Sequence, residues 1–86
     1  MPEISRFLGI VIKMFFDDHN PHHFHAVYGT DTAAIAIHSL ELLEGHLPPR
    51  IQGLVIEWAS LYQKELQANW ERRKKGLDLK KIKPLV

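Results

Sequence analysis

The C-terminal half of the chain carries one long run of apolar residues at helical spacing. After Pro48-Pro49, apolar side chains recur every three or four positions, at Ile51, Leu54, Val55, Trp58, Leu61, Tyr62, Leu66 and Trp70. This period predicts an amphipathic helix over residues 50–75, with proline where a helix start tolerates it and Gly76 as the stop. At about 1.5 Å per residue the helix would span about 38 Å, which is long for a chain of 86 residues.

The N-terminal half alternates instead with the period of a strand. Residues 9–16, 24–28, 32–37 and 42–44 are predicted strands, separated by turn signals such as Asn20-Pro21. Successive hairpins imply an antiparallel meander. We predict an α+β fold in which a small antiparallel sheet of three to four strands (about residues 7–45) packs on one long C-terminal helix. An extended basic tail, residues 77–86, would be an edge strand or an arm that orders on binding, and residues 1–86 would form a single domain.

Composition limits the chemistry that is available. The chain has no cysteine, so disulfides and thiolate metal sites are excluded, and any metal would need histidine and carboxylate ligands. No apolar run approaches the roughly 18 residues of a membrane span, and the first residues lack the pattern of a signal peptide. We therefore expect a cytoplasmic protein without a membrane partner.

Charge is distributed unevenly along the chain. Residues 1–63 carry three basic and seven acidic side chains, whereas residues 64–86 carry eight basic and three acidic ones. A basic end favours an acidic partner, and the candidate partner-binding residues are Trp70, Arg72, Arg73, Lys80 and Lys81. The alternative is that the basic side chains of residues 72–75 complement the negative end of a helix dipole.

Four of the six histidines fall within seven positions, at His19, His22, His23 and His25. His23 and His25 are two apart in a predicted strand, so their rings share one face and can converge on one ion. His19, across the turn, would be a third nitrogen ligand, with Asp17 or Asp18 supplying an oxygen. Three histidines and an open position are a zinc-type arrangement, and the ion would be Zn²⁺ or Ni²⁺.

Two other interpretations of these histidines stay open. A pair with pKa values near neutrality would provide acid and base for RNA cleavage, with Tyr28, Lys13 and Arg6 as supporting groups and His19, His23, His25 and Tyr28 as the catalytic candidates. Alternatively, the rings are structural and hydrogen-bond backbone groups at the turn, or form a surface for a partner. His22 is expected to be solvated, and His38 and His46 to lie on the surface.

Four sequence blocks together resemble a known family. They are P-E-I-S-R-F-x-G-I at residues 2–10, D-H-N-P-x-H-F-H-A-x-Y at 18–28, L-E-G-H-L-P at 43–48 and K-K-I-K-P-L at 80–85. The chain resembles a small bacterial family, domain of unknown function 4160. The resemblance implies a single-domain protein, often encoded beside another small protein in what looks like a toxin–antitoxin-like pair. The chain departs from the family pattern at Leu40, where relatives typically carry glycine, and at Leu77-Asp78-Leu79.

We therefore expect a binding protein that acts through a protein partner or as a homo-oligomer, as one component of a toxin–antitoxin-like pair. Nucleic acid is the less favoured partner, because the basic tail has no interleaved aromatics. The alternative is a small RNase-like hydrolase or a metal-binding protein that uses His19, His23 and His25. No nucleotide or organic cofactor is expected, since no Gly-rich phosphate loop is present.

Overall fold

Five strands form one antiparallel sheet in the computed structural model, which describes residues 3–15 and 20–86. The strands are β1 (Glu3–Phe7), β2 (Ile10–Lys13), β3 (His23–Tyr28), β4 (Asp31–Ala36) and β5 (Leu42–Gly45), and they pair in chain order. Two helices follow, α1 (Pro49–Leu61) and α2 (Gln63–Lys74). The predicted α+β class and antiparallel meander are confirmed, whereas the number of strands and the single long helix are corrected.

β1 is the strand that the sequence did not reveal. It is joined to β2 by a two-residue turn in which Leu8 and Gly9 have φ angles of 51° and 80°, and Phe7 pairs with Ile10. Positive φ at both central residues is typical of the turn whose twist suits a hairpin, and Asn-Gly is its usual signature. Because Leu8 lacks that signature, the hairpin was not predicted.

The single helix of the prediction is divided at Tyr62. Its φ and ψ are −123° and 29°, and its N–H donates to the carbonyl of Ala59, three residues back, at 3.1 Å. The described fold is 34 Å along its longest axis, which is less than a straight helix of that length would need. Because of this break, α1 and α2 both pack on the rest of the fold, and Trp58 and Trp70 are only 0% and 2% exposed.

The core lies between the helices and one face of the sheet. On β3, Phe24 and Ala26 face the core and are fully buried, while His25 and Val27 on the other face are half-buried. Trp58 packs on Phe24, with ring centroids 5.9 Å apart. The alternation predicted for this strand is therefore the one that the structure shows.

The C-terminal segment, residues 77–86, has no regular secondary structure but packs on the rest of the fold. Ile82 is buried, and its N–H donates to the carbonyl of Ile4 in β1 at 2.7 Å. The indole N–H of Trp58 donates to the carbonyl of Lys83 at 2.9 Å. The sequence analysis predicted an edge strand or an arm that orders on binding. The segment is neither, because it is irregular and already packed on the fold.

A testable consequence concerns the turn after β5. Gly45 has φ +85°, and a Cβ there would collide with the backbone of Thr32, whereas Gly29, at φ +60°, faces open space. Gly29→Ala should lower the free energy of unfolding by about 1–2 kcal/mol, from backbone strain, and Gly45→Ala by about 3 kcal/mol or more, because the collision adds to it. Denaturant unfolding followed by tryptophan fluorescence measures both, and equal losses would contradict the proposed packing of β5.

Candidate functional site

His23 and His25 lie side by side at the start of β3. Their ring centroids are 5.0 Å apart at an interplanar angle of 70°. His23 is buried, and its Nδ1 lies 2.7 Å from the carbonyl oxygen of Pro21. A carbonyl can only accept, so Nδ1 carries the proton and donates it, which leaves the ring lone pair of a neutral His23 on Nε2. The edge of the His25 ring meets Phe15, with centroids 4.8 Å apart.

The strand register creates a cleft beside these rings. Lys13, His25, Ala34 and Glu44 are directly paired across four strands, so they form one row on the sheet face away from the helices. Ala34 lies between His25 and Glu44, and its small side chain leaves a cleft of about 260 Å³ lined by both. We call it the histidine cleft. Lys13 was predicted as a supporting group for the histidines, whereas Glu44 was not linked to them from the sequence, because cross-strand register was not predicted.

Tyr28, another candidate for this site, is not brought to it. Tyr28 lies three residues after His25 on β3, on the opposite face, where it packs against the core and pairs with Ile10. His19, with Asp17 and Asp18, lies outside the described residues. Across residues 3–15 and 20–86, no three His, Asp or Glu side chains are close enough together to hold a metal ion.

His22 is not the solvated side chain that the sequence predicted. Its ring is half-buried and stacks on Trp70, with centroids 4.8 Å apart and an interplanar angle of 25°. Its Nδ1 lies 3.0 Å from the side-chain oxygen of Gln67 on α2. The prediction took no account of α2, which reaches this position.

A second cleft, of about 280 Å³, opens between α2 and the C-terminal segment. Among the described residues that line it are three basic side chains, Arg72, Lys80 and Lys81, and the carboxylate of Glu65. We call it the basic cleft. Three of the five candidate partner-binding residues thus meet at one place, although Arg72 lies on a helix and the two lysines lie beyond it.

Asn69 fixes the wall of the basic cleft. It is 1% exposed, its amide donates to the carbonyl of Lys80, and its oxygen accepts the N–H of the same residue, both at 2.9 Å. Arg72 Nε donates to the carbonyl of Asp78 at 2.6 Å. The segment that carries the lysines is therefore held at a fixed distance from α2. A single asparagine in a helix has no sequence pattern that would predict such a contact with the segment that follows.

A nearby carboxylate does not neutralise the cleft. Arg6 donates to both side-chain oxygens of Glu3, at 2.8 and 3.1 Å. This hydrogen bond holds the pKa of Glu3 below its usual value, so the group stays ionised and paired with Arg6. Lys81 instead donates to the backbone carbonyl of Glu3 at 3.0 Å.

The remaining two partner-binding candidates lie inside the fold. Trp70 is 2% and Arg73 7% exposed. The guanidinium carbon of Arg73 lies 4.1 Å from the centroid of the Trp70 ring, and its Nε donates to the carbonyl of Phe15 at 2.6 Å. Arg73 thus ties α2 to the segment after β2, and Trp70 packs on His22 and His23 at the start of β3. A partner that docks on the surface would not contact either side chain directly.

The chain belongs to the family described as a domain of unknown function, DUF4160, whose model matches residues 9–71. No curated protein and no solved structure was found to match. The matched range includes the histidine cleft and ends before Arg72, Lys80 and Lys81. Neither helix of the described fold is long and apolar enough to cross a membrane.

We expect Asn69→Ala to loosen the C-terminal segment without unfolding the sheet. The variant loses both hydrogen bonds to Lys80, at a cost of about 1–3 kcal/mol in unfolding free energy. Amide exchange at Ile82 should accelerate, because its N–H is protected by the packed segment. Glu65→Ala, an exposed position on the same helix, is the control. Unchanged protection of Ile82 in Asn69→Ala would show that Asn69 does not hold the segment.

Proposed function

We propose that this protein is an interaction module that binds an acidic surface of a protein partner in the basic cleft, as one component of a toxin–antitoxin-like pair in the cytoplasm. The observation that supports this is the meeting of Arg72, Lys80 and Lys81 at one cleft. Concentrated positive charge steers an acidic partner and selects against a basic one.

The cleft is ordered before any partner arrives. Because Asn69 binds both the backbone N–H and the carbonyl of Lys80, little conformational entropy of the chain is lost when a partner binds. The Arg72 Nε is occupied by the Asp78 carbonyl, which orients the guanidinium and directs its terminal nitrogens to a carboxylate as a fork. Ile82 and Ala68 add apolar surface to the same lining.

A protein fits this cleft better than a nucleic acid does. Single strands usually bind on aromatic side chains that stack with successive bases, and the described lining contains none. Residues 1–63 are acidic, which opposes a polyanion that extends beyond the cleft but permits a second copy of this chain as the partner.

Charge reversal tests the cleft directly. We expect the double variant Lys80→Glu, Lys81→Glu to bind a hexaglutamate peptide about tenfold or more weakly than the parent chain, a loss of about 1.4 kcal/mol or more. The control, Lys74→Glu with Lys75→Glu, makes the same charge change outside the cleft lining and should lose much less. Binding by the parent chain should weaken between about 50 and about 300 mM salt, because exposed charges are screened.

Equal losses in the two double variants would reduce the cleft to a general charge effect and contradict the proposal. Stronger binding of a single-stranded RNA of equal charge would favour nucleic acid instead. In cells, expression of the chain should stop growth or restore growth stopped by the product of the adjacent gene, and the cleft variant should do neither. No growth effect in either setting would remove the toxin–antitoxin part.

The histidine cleft supports a second candidate function, a small RNase-like hydrolase or a metal-binding protein. The specific observation is the 5.0 Å contact of the His23 and His25 rings beside Glu44 in one cleft. With His19 as a further group, the site would hold Zn²⁺ or Ni²⁺, or supply an acid and a base for RNA cleavage. Lys13, directly paired with His25, would balance a phosphate.

Imidazole NMR separates this site from its surroundings. On addition of Zn²⁺, we expect the ring nitrogen signals of His23 and His25 to shift together, and His25→Ala to remove the His23 shift because one ligand cannot hold the ion. The exposed His46 is the control and should not move. If alanine at His19, His23 and His25 leaves metal binding, RNA cleavage and growth effect unchanged, the histidines of this cleft are structural.

A further inference from the structure

A second pair of histidines lies at another cleft. The ring centroids of His22 and His38 are 5.6 Å apart, with an interplanar angle of 41°. His38 lines a cleft of about 520 Å³ together with Gln63, Lys64 and Gln67 from α2. This lining shares no residue with that of the histidine cleft. Neither ring was considered as a ligand from the sequence.

Hydrogen bonding determines which nitrogen of His22 carries its proton. The amide nitrogen of Gln67 donates to Glu71 at 3.0 Å, and an ionised carboxylate can only accept. The amide oxygen of Gln67 therefore faces His22, whose Nδ1 is 3.0 Å away. Nδ1 must be the donor, so a neutral His22 has its lone pair on Nε2, on the side of the ring away from Gln67.

Further contacts hold the ring of His22 and the backbone of His38 in place. His22 stacks on Trp70, and its backbone carbonyl accepts the N–H of Ile37 at 3.0 Å. The Gln63 amide donates to the carbonyls of Ile37 and His38, at 2.8 and 3.1 Å. Both histidines are thus anchored next to Ile37, and the ring of His22 has a fixed orientation.

We propose that His22 and His38 form a binding site for a divalent late transition-metal ion, with water completing the coordination. An ion held at about 2.0–2.1 Å lies roughly 3 Å from each ring centre, so two rings that share it are roughly 5–6 Å apart. A ligating histidine usually donates its other ring N–H to an acceptor that orients it, as His22 does to Gln67. Imidazole ligands select copper, nickel or zinc over magnesium or calcium.

The charges around the site tune its affinity. Lys64 lines the cleft and opposes a cation, but it is exposed, so its ammonium group can turn into solvent. Glu71, linked through Gln67, supplies a compensating negative charge. Replacing Lys64 should therefore strengthen metal binding, and breaking the Gln67 contact should weaken it.

The test is a titration of the full chain with Ni²⁺, followed by calorimetry and by the fluorescence of Trp70. We expect Ni²⁺ to quench the fluorescence of Trp70, because the ion would be bound to His22, which stacks on the Trp70 ring. His38→Ala should weaken binding about tenfold or more, and so should Gln67→Met, within the range that orienting partners usually contribute. Lys64→Glu should tighten it. His38 is exposed, so the first variant keeps the fold.

Two controls decide what the result means. His46→Ala removes another exposed histidine and should leave the affinity unchanged. His25→Ala breaks the pair in the histidine cleft and should keep the quenching. Loss of metal binding in the histidine cleft is therefore distinguishable from loss of binding at His22 and His38. If His38→Ala binds Ni²⁺ as the parent chain does, or if His46→Ala loses as much, the proposed site is wrong.

Discussion

The indole N–H of Trp58 needs an acceptor inside the core, since a buried donor without one costs about 1–3 kcal/mol. The Lys83 carbonyl provides it at 2.9 Å. The same ring lies 5.6 Å from Phe7 on β1 and 5.9 Å from Phe24 on β3. One side chain thus joins the helical layer, two strands and the C-terminal segment. Together with the two Asn69 bonds to Lys80, this bond holds the C-terminal segment that forms one wall of the basic cleft.

The histidine cleft and the basic cleft arise from different structural features. The histidine cleft results from strand register, because Ala34 and Ala36 lie opposite His25 and His23 and leave room beside large rings. The basic cleft results from a buried asparagine that fixes the distance between a helix and an irregular segment. The first lies within the part of the chain that matches the family and the second largely beyond it.

Patterns of short range predicted most of the fold. Alternation located β2 to β5, and helical spacing predicted a helix over residues 50–75, where the structure has α1 and α2. What the sequence did not reveal depends on distant partners. Leu8 does not look like a turn residue, the break at Tyr62 follows from the size of the sheet, and the surroundings of His22 come from α2. Leu40 has φ 62°, a conformation that glycine adopts more readily, so this turn too was not evident from the residue type.

The backbone hydrogen bond from Ile82 to Ile4 has a consequence for the chain while it is being synthesised. β1 is synthesised before the C-terminal segment, yet two of its carbonyls accept hydrogen bonds from Lys81 and Ile82. At roughly 5–20 residues per second, the strand waits roughly 4–16 s for them. During that interval a terminal strand of the sheet has unmatched backbone acceptors, the feature through which nascent chains pair with one another. Docking of the C-terminal segment thus covers acceptors on β1 that would otherwise be available to another chain.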